Sequence, residues 1–155
     1  GLLHPELGHV RVPREGDDYP GNCPVHGDCL EGLVSGPALE QRWGQPAHEL
    51  PDEHPAWPQA ARTLALGLVN WVLTLAPQRV VMGGGVSRRK QLLPRLRAEL
   101  RDLLGGYMDV PELSGSLDGF LVEPELGDLA GVLGAMSMAE EALTRTSTPR
   151  TAPPS

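Results

Sequence analysis

Isoleucine is missing from this 155-residue chain, lysine occurs once, at Lys90, and cysteine twice, at Cys23 and Cys29. Two cysteines are too few for a secreted disulfide scaffold, which leans on several bridges. They point instead to the cytoplasm, where thiols stay reduced and can hold a metal. Arginine in place of lysine reads as the coding bias of a GC-rich genome and carries no functional message. Basic residues are also in deficit: 13 Lys and Arg stand against 20 Asp and Glu, for a net charge of −7. With no basic block either, nucleic acid is not an expected partner. No apolar run reaches the roughly 18 residues of a membrane span, so no membrane partner is expected. The opening, GLLHPELGHV, does not have the charged start and long apolar stretch of a secretory leader. It has no initiator methionine and runs at once into a motif, as expected of the C-terminal portion of a longer protein. No internal repeat is present.

What remains is enough for one domain with a real core. Residues 1–12 read as a strand and turn ending in Val10 and Val12. Residues 13–29 read as loop, because Pro13, Gly16, Pro20, Gly21 and Pro24 oppose regular structure. A short helix is expected from Leu30 to Trp43, broken or restarted at Gly36 and Pro37, followed by a Pro-rich connector over 44–56. The strongest helical pattern spans 57–76, where Leu64, Leu68, Trp71, Val72 and Leu75 recur at spacings of three and four. Its other face is apolar too, which predicts a buried helix. A buried strand, Val80 to Met82, leads into Gly83, Gly84 and Gly85. A helix over Gln91–Leu104 ends at a Gly pair. A strand follows at Phe120–Glu123, then a helix over Asp128–Leu143 with Asp128 as N-cap. The Ser/Thr/Pro-rich residues 144–155 are expected to be a disordered tail. Strands alternating with helices imply an α/β layer with at least two parallel strands. Ligands of such layers bind beyond the carboxyl ends of the strands. The turns at 83–85 and 127–131 fall there.

Cys23, His26 and Cys29 follow the spacing Cys-x2-His-x2-Cys in a loop with little to bury. Thiolate and imidazole are preferred zinc ligands, and a metal clip supplies ordering energy that such a loop cannot draw from a core. The fourth ligand must come from elsewhere. His9 is the best placed and His4 the second choice. Four protein ligands would make the zinc structural rather than catalytic. Free or disulfide-bonded cysteines beside a solvated histidine are the alternative. If His9 is a ligand, Glu6, His9 and Glu31 converge. Carboxylates accept hydrogen bonds from sugar hydroxyls, although solvated surface acids are the commoner fate of glutamate. Gly83 to Gly85 allow close approach of backbone to a nucleotide, and equally fit an ordinary strand-to-helix turn. The small residues of GDLAGVLGA suit close helix packing more than ligand binding.

Four motifs in order carry a resemblance: E-L-G-H at 6–9, the loop CPVHGDCLEG at 23–32, VVMGGGV at 80–86, and GDLAGVLGA at 127–135. Together they resemble the ROK family of sugar kinases and repressors, and most of all its bacterial fructokinase branch. The resemblance covers about residues 2–143. It implies an actin-like, ribonuclease-H-like fold, of which residues 1–143 would be most of the C-terminal lobe, with the zinc loop at 9–29. It implies zinc on His9, Cys23, His26 and Cys29, a hexose against Glu6, His9 and Glu31, and a nucleotide beside Gly83, Gly84 and Gly85. Mg²⁺ with ATP, a homodimer of the full-length protein and phosphorylation of fructose come with it. It also implies that a phosphate loop and a base aspartate lie on an N-terminal lobe preceding Gly1, so that this chain alone is inactive. The alternatives are the sugar-sensing effector domain of a repressor from the same family, and a small zinc-stabilised interaction module without sugar.

Overall fold

The computed structural model describes residues 5–147. His4 and residues 148–155 of the expected tail lie outside them. The chain divides after Val122 into two compact units.

The first unit is built on two helices. α3, Ala56–Leu75, and α4, Leu92–Leu104, pack along one another, while α1, Leu30–Val34, and α2, Gly36–Trp43, precede them. α4 buries Leu92, Leu93, Leu96, Leu100 and Leu104, an apolar stripe at helical spacing. α3 meets it with small residues, Ala60, Ala61 and Ala65, between the larger Trp57, Leu68 and Val72. Each buried leucine removed from water stabilises the fold by about 1.5–3 kcal/mol. Trp57 is fully buried and its indole N–H donates to the Pro51 carbonyl at 2.7 Å, which ties the Pro-rich connector to the core. The burial expected of α3 fades at its C-terminal end, where Leu73 and Leu75 are exposed.

Helix α1 is short because Ser35 adopts extended backbone, accepts a hydrogen bond from the Ala38 N–H at 3.3 Å and starts α2. Pro37 sits in the first turn of α2, where its missing N–H costs nothing. The restart expected at Gly36 and Pro37 is therefore present. Where α1 crosses α3, Gly67 leaves room for Leu30: a Cβ at Gly67 would lie 2.7 Å from Leu30 Cδ2. That approach sets the height of α1, and with it Glu31, above the core.

β1, Val80–Val81, and β2, Leu121–Val122, pair in parallel, with Val80 opposite Leu121 and Val81 opposite Val122. α4 lies between them in the chain, so the expected parallel α/β unit forms, with two short strands among the described residues. Two expectations change. Among the described residues the strand expected at the start is absent: Leu7–His9 form a 3-10 turn, and the extended Val10 gives its carbonyl to the Leu30 N–H at 2.9 Å rather than to a ladder. β1 is not buried, since Val81 is 58% exposed. With so little sheet around it, one of its faces meets solvent.

The second unit begins at Glu123. Within it, Gly127–Leu129 form a 3-10 turn and α5 runs from Ala130 to Ser147. Asp128, the expected N-cap, thus falls within that turn, two positions before the helix, the chain having already tightened at Gly127 with φ of 50°. The helix also continues past Leu143 into the expected tail, and within it the Thr144 hydroxyl donates to the Glu141 carbonyl at 2.8 Å. Among the described residues no helix is long and apolar enough to cross a membrane.

Candidate functional site

The loop before α1 closes on itself. Cys23 N–H donates to the Gly27 carbonyl at 3.1 Å and Gly27 N–H to the Cys23 carbonyl at 2.9 Å. Gly27 supplies the left-handed φ of 66° that this turn requires. The first turn of α1 then presses on it so closely that a Cβ at Gly32 would lie 1.9 Å from the Gly27 oxygen. The result is a compact knuckle standing on the start of α1.

This knuckle brings His9, Cys23, His26 and Cys29 together, with one ligand atom from each inside a 4.8 Å span. Cys29 Sγ lies 3.5 Å from His9 Nδ1, and Cys23 Sγ lies 3.8 Å from both His9 Nδ1 and His26 Nδ1. Zinc bonds of about 2.3 Å to sulfur and about 2.0–2.1 Å to nitrogen, at tetrahedral angles, put S and N about 3.6 Å apart. The donor set therefore fits zinc in both chemistry and spacing, and its four protein ligands suit a structural ion. The sulfurs differ. Cys23 accepts the His26 backbone N–H at 3.4 Å, and such N–H donors bring its pKa down to about 6. Burial pushes the Cys29 thiol up.

Because His9 turns Nδ1 to the sulfurs, Nε2 is left facing outwards, 3.8 Å from Glu31 Oε2. Glu31 stands in the first turn of α1, with half its side chain exposed. Gly8 keeps that carboxylate uncovered, since a Cβ there would come within 3.2 Å of Oε2. Gly8 and Glu31 open onto a cleft of ≈ 300 Å³ whose floor includes Leu64, Leu68 and Trp71 and whose far rim carries Gly83 and Gly85. Glu6 precedes the same 3-10 turn as His9 and is exposed, but it does not line this cleft. Gly84 takes φ of 100° and does not line it either.

Gly85 and Val86 also border a second groove of ≈ 800 Å³, lined further by Glu40, His48, Arg88 and Arg89. The glycine turn thus separates two concave surfaces. Ser87, which the sequence reading passed over, is buried beneath it and donates its hydroxyl to the Gly84 carbonyl at 2.8 Å. Its position three residues past a glycine in a turn was the available signal.

These features define a mixed α/β domain that carries a two-sulfur, two-nitrogen metal knuckle beside a cleft with an acid at its edge. The chain belongs to the ROK family, whose pattern matches residues 1–142. It is 42% identical over 144 residues to a putative fructokinase of Bacillus subtilis (strain 168), covering 92% of this chain and 48% of the relative. It is 39% identical over 144 residues to a fructokinase of Pediococcus pentosaceus, covering 92% of this chain and 49% of that one. Its structure is similar to that of a ROK hexokinase from Thermus thermophilus, with a TM-score of 0.67 and 29% identity over 90% of this chain and 48% of the other. The chain spans about half the length of the curated relatives it matches.

Proposed function

We propose that this chain is the sugar- and zinc-binding part of an ATP-dependent hexose kinase with fructose as the preferred substrate, built as the C-terminal lobe of an actin-like, ribonuclease-H-like fold. The observation that carries this reading is the pairing of His9 Nε2 with Glu31 Oε2 at 3.8 Å, where Glu31, though not His9, lines a cleft that also reaches Gly83 and Gly85. A hydroxyl oxygen fits at hydrogen-bonding distance from both atoms, accepting from the imidazole N–H and donating to the carboxylate. Glu6, on the same turn as His9, supplies a further acceptor to the sugar. The nucleotide lies against Gly83, Gly84 and Gly85, with the Arg88 and Arg89 groove on the far side of that turn. The names of the relatives support fructose as the hexose.

In this mechanism the residues present bind and orient. His9, Cys23, His26 and Cys29 would hold zinc, which would supply the ordering of the knuckle; with its Nδ1 committed to the ion, His9 would keep its Nε2–H towards the sugar. Mg²⁺ arrives with ATP and neutralises phosphate charge. Transfer also needs a base for the attacking hydroxyl, and among the described residues Glu31 is the only carboxylate lining the cleft. We assign the base to another segment. The chain alone is accordingly expected to form no hexose phosphate from MgATP above background in a coupled assay, and product formation would overturn that assignment. The same reading carries with it a cytoplasmic homodimer.

Glu31→Gln in the full-length kinase tests the site. Loss of a charged hydrogen-bond partner, about 1.5–3 kcal/mol, is expected to weaken fructose binding about 10- to 100-fold while nucleotide affinity stays as in the parent. Unchanged sugar affinity in both Glu31→Gln and Glu6→Gln would remove the sugar from this cleft.

A further inference from the structure

The metal ligands reach the knuckle from two separate stretches of chain, His9 from one side and Cys23, His26 and Cys29 from the other. Among the described residues, two connections join those stretches besides any metal and the His9–Glu31 pair. The Leu30 N–H donates to the Val10 carbonyl at 2.9 Å, directly after each stretch has delivered a ligand. Asp28, which stands between His26 and Cys29, is gripped by arginines from the His9 side. Arg14 Nη1 donates to its Oδ2 at 2.9 Å and Arg11 pairs with its other oxygen. The second amino group of Arg14 donates to the Tyr19 carbonyl, and the Tyr19 hydroxyl donates to the Ala38 carbonyl of α2 at 3.1 Å. Arg14 and Asp28 are both largely shielded from water, with 27% and 33% of their side chains exposed. Between the two arginines, Val12 is buried in the core. The segment that follows His9 is thus fastened at Val10 and again at Arg14.

We infer that Arg14 and Asp28 are positioning residues for the metal, holding His9 and Cys29 at ligand separation so that His9 closes the coordination sphere. The planar fork of Arg14 suits this role because it bonds a carboxylate and a backbone carbonyl at once, which a lysine ammonium cannot do in the same geometry. The nearby Arg62–Glu15 pair makes the contrast. It clamps the same loop to α3 through bonds of 2.6 and 2.9 Å, but touches no residue adjacent to a metal ligand. The inference rests on the reading of His9, Cys23, His26 and Cys29 as zinc ligands.

The test uses the full chain loaded with zinc, or with cobalt as a coloured reporter. Outer partners of metal sites are worth about 10- to 100-fold in affinity. Arg14→Gln and Asp28→Asn are each expected to speed zinc transfer to an excess of chromogenic chelator by about tenfold or more. The double variant should be no faster than the faster single, because both changes break one connection. Arg14→Lys, which keeps the charge and guards against a variant that fails to fold, should fall between. Cobalt-loaded Arg14→Gln should show weaker visible d–d absorption as His9 drifts from the ion, with far-UV dichroism as in the parent. Arg62→Gln should leave both readouts unchanged. Parental release rates and cobalt spectra in Arg14→Gln and Asp28→Asn, or an equal acceleration by Arg62→Gln, would overturn the inference. A parent chain that takes up neither metal would overturn the zinc reading itself, and this inference with it.

Discussion

The knuckle region and the α3–α4 layer are ordered by opposite means. Between Val10 and Cys29 only Val12 and the two cysteines are buried, and the loop is held by directional bonds. Arg42 grips Asp17 through bonds of 2.7 and 2.9 Å, Gln59 adds one at 3.2 Å, and Arg62 grips Glu15. The helix pair is bridged by Arg62 and Glu99 at 3.1 Å but is held chiefly by leucine and alanine packing around Trp57, Leu96 and Leu100. Apolar packing tolerates small changes of angle and is indifferent to pH. Directional bonds fix positions to a few tenths of an ångström but depend on charge state and on the metal. The pairing of one imidazole with one carboxylate, His9 with Glu31 at 3.8 Å, is therefore built on the region with the less forgiving chemistry.

The largest effect expected separates the two regions outright. Cys29→Ser should reduce bound zinc from roughly one per chain to near zero, measured by atomic absorption. Amide protection should vanish from residues 20–32 while that of α3 and α4 persists. Loss of protection throughout α3 and α4 would show that the two regions are one cooperative unit. A smaller effect runs the other way. Leu100→Ala is expected to cost about 2–5 kcal/mol in urea unfolding and to leave zinc stoichiometry intact. A Leu100→Ala chain that folds but binds no zinc would break the contrast.

The smallest effect is a pH dependence confined to the loop. The hydrogen bonds from Arg42 hold the Asp17 pKa below its ordinary value near 3.8. A carboxylate depressed on folding contributes stability above its unfolded pKa and loses it as pH falls through the lower folded value. Asp17→Asn should therefore destabilise the chain near neutrality by about 1–2 kcal/mol, and the gap to the parent should close as the pH drops below 3.8. A gap that stayed constant across that range would assign the loss to shape rather than charge.

The helices were legible because their signals are local. The Leu stripe of α4, the proline and glycine punctuation and the Ser35–Pro37 restart each lie within a few residues of what they determine. The donor set was legible for a related reason: Cys-x2-His-x2-Cys occupies seven consecutive residues, and only His9 had to be brought from a distance. What escaped depended on partners far apart in sequence. The 3-10 turn at Leu7–His9 replaces a strand because Val10 is claimed by Leu30, twenty residues away. Nothing near Val81 reveals that its strand is bare on one face. The arginine clamps were invisible as well, since Arg14, Arg42 and Arg62 read singly as ordinary surface charges. Only the folded chain sets each against its own carboxylate.

Gly85 offers something seldom available beside two grooves. Its backbone is ordinary, and a methyl group added there would meet no atom within 4 Å. Yet it borders the acid-bearing cleft on one side and the arginine groove on the other. An alanine at this position is a doorstop rather than a wound: it crowds whatever enters either chamber and leaves the architecture alone. Substituents of graded size at residue 85 would therefore measure how much clearance each guest has, one carbon at a time.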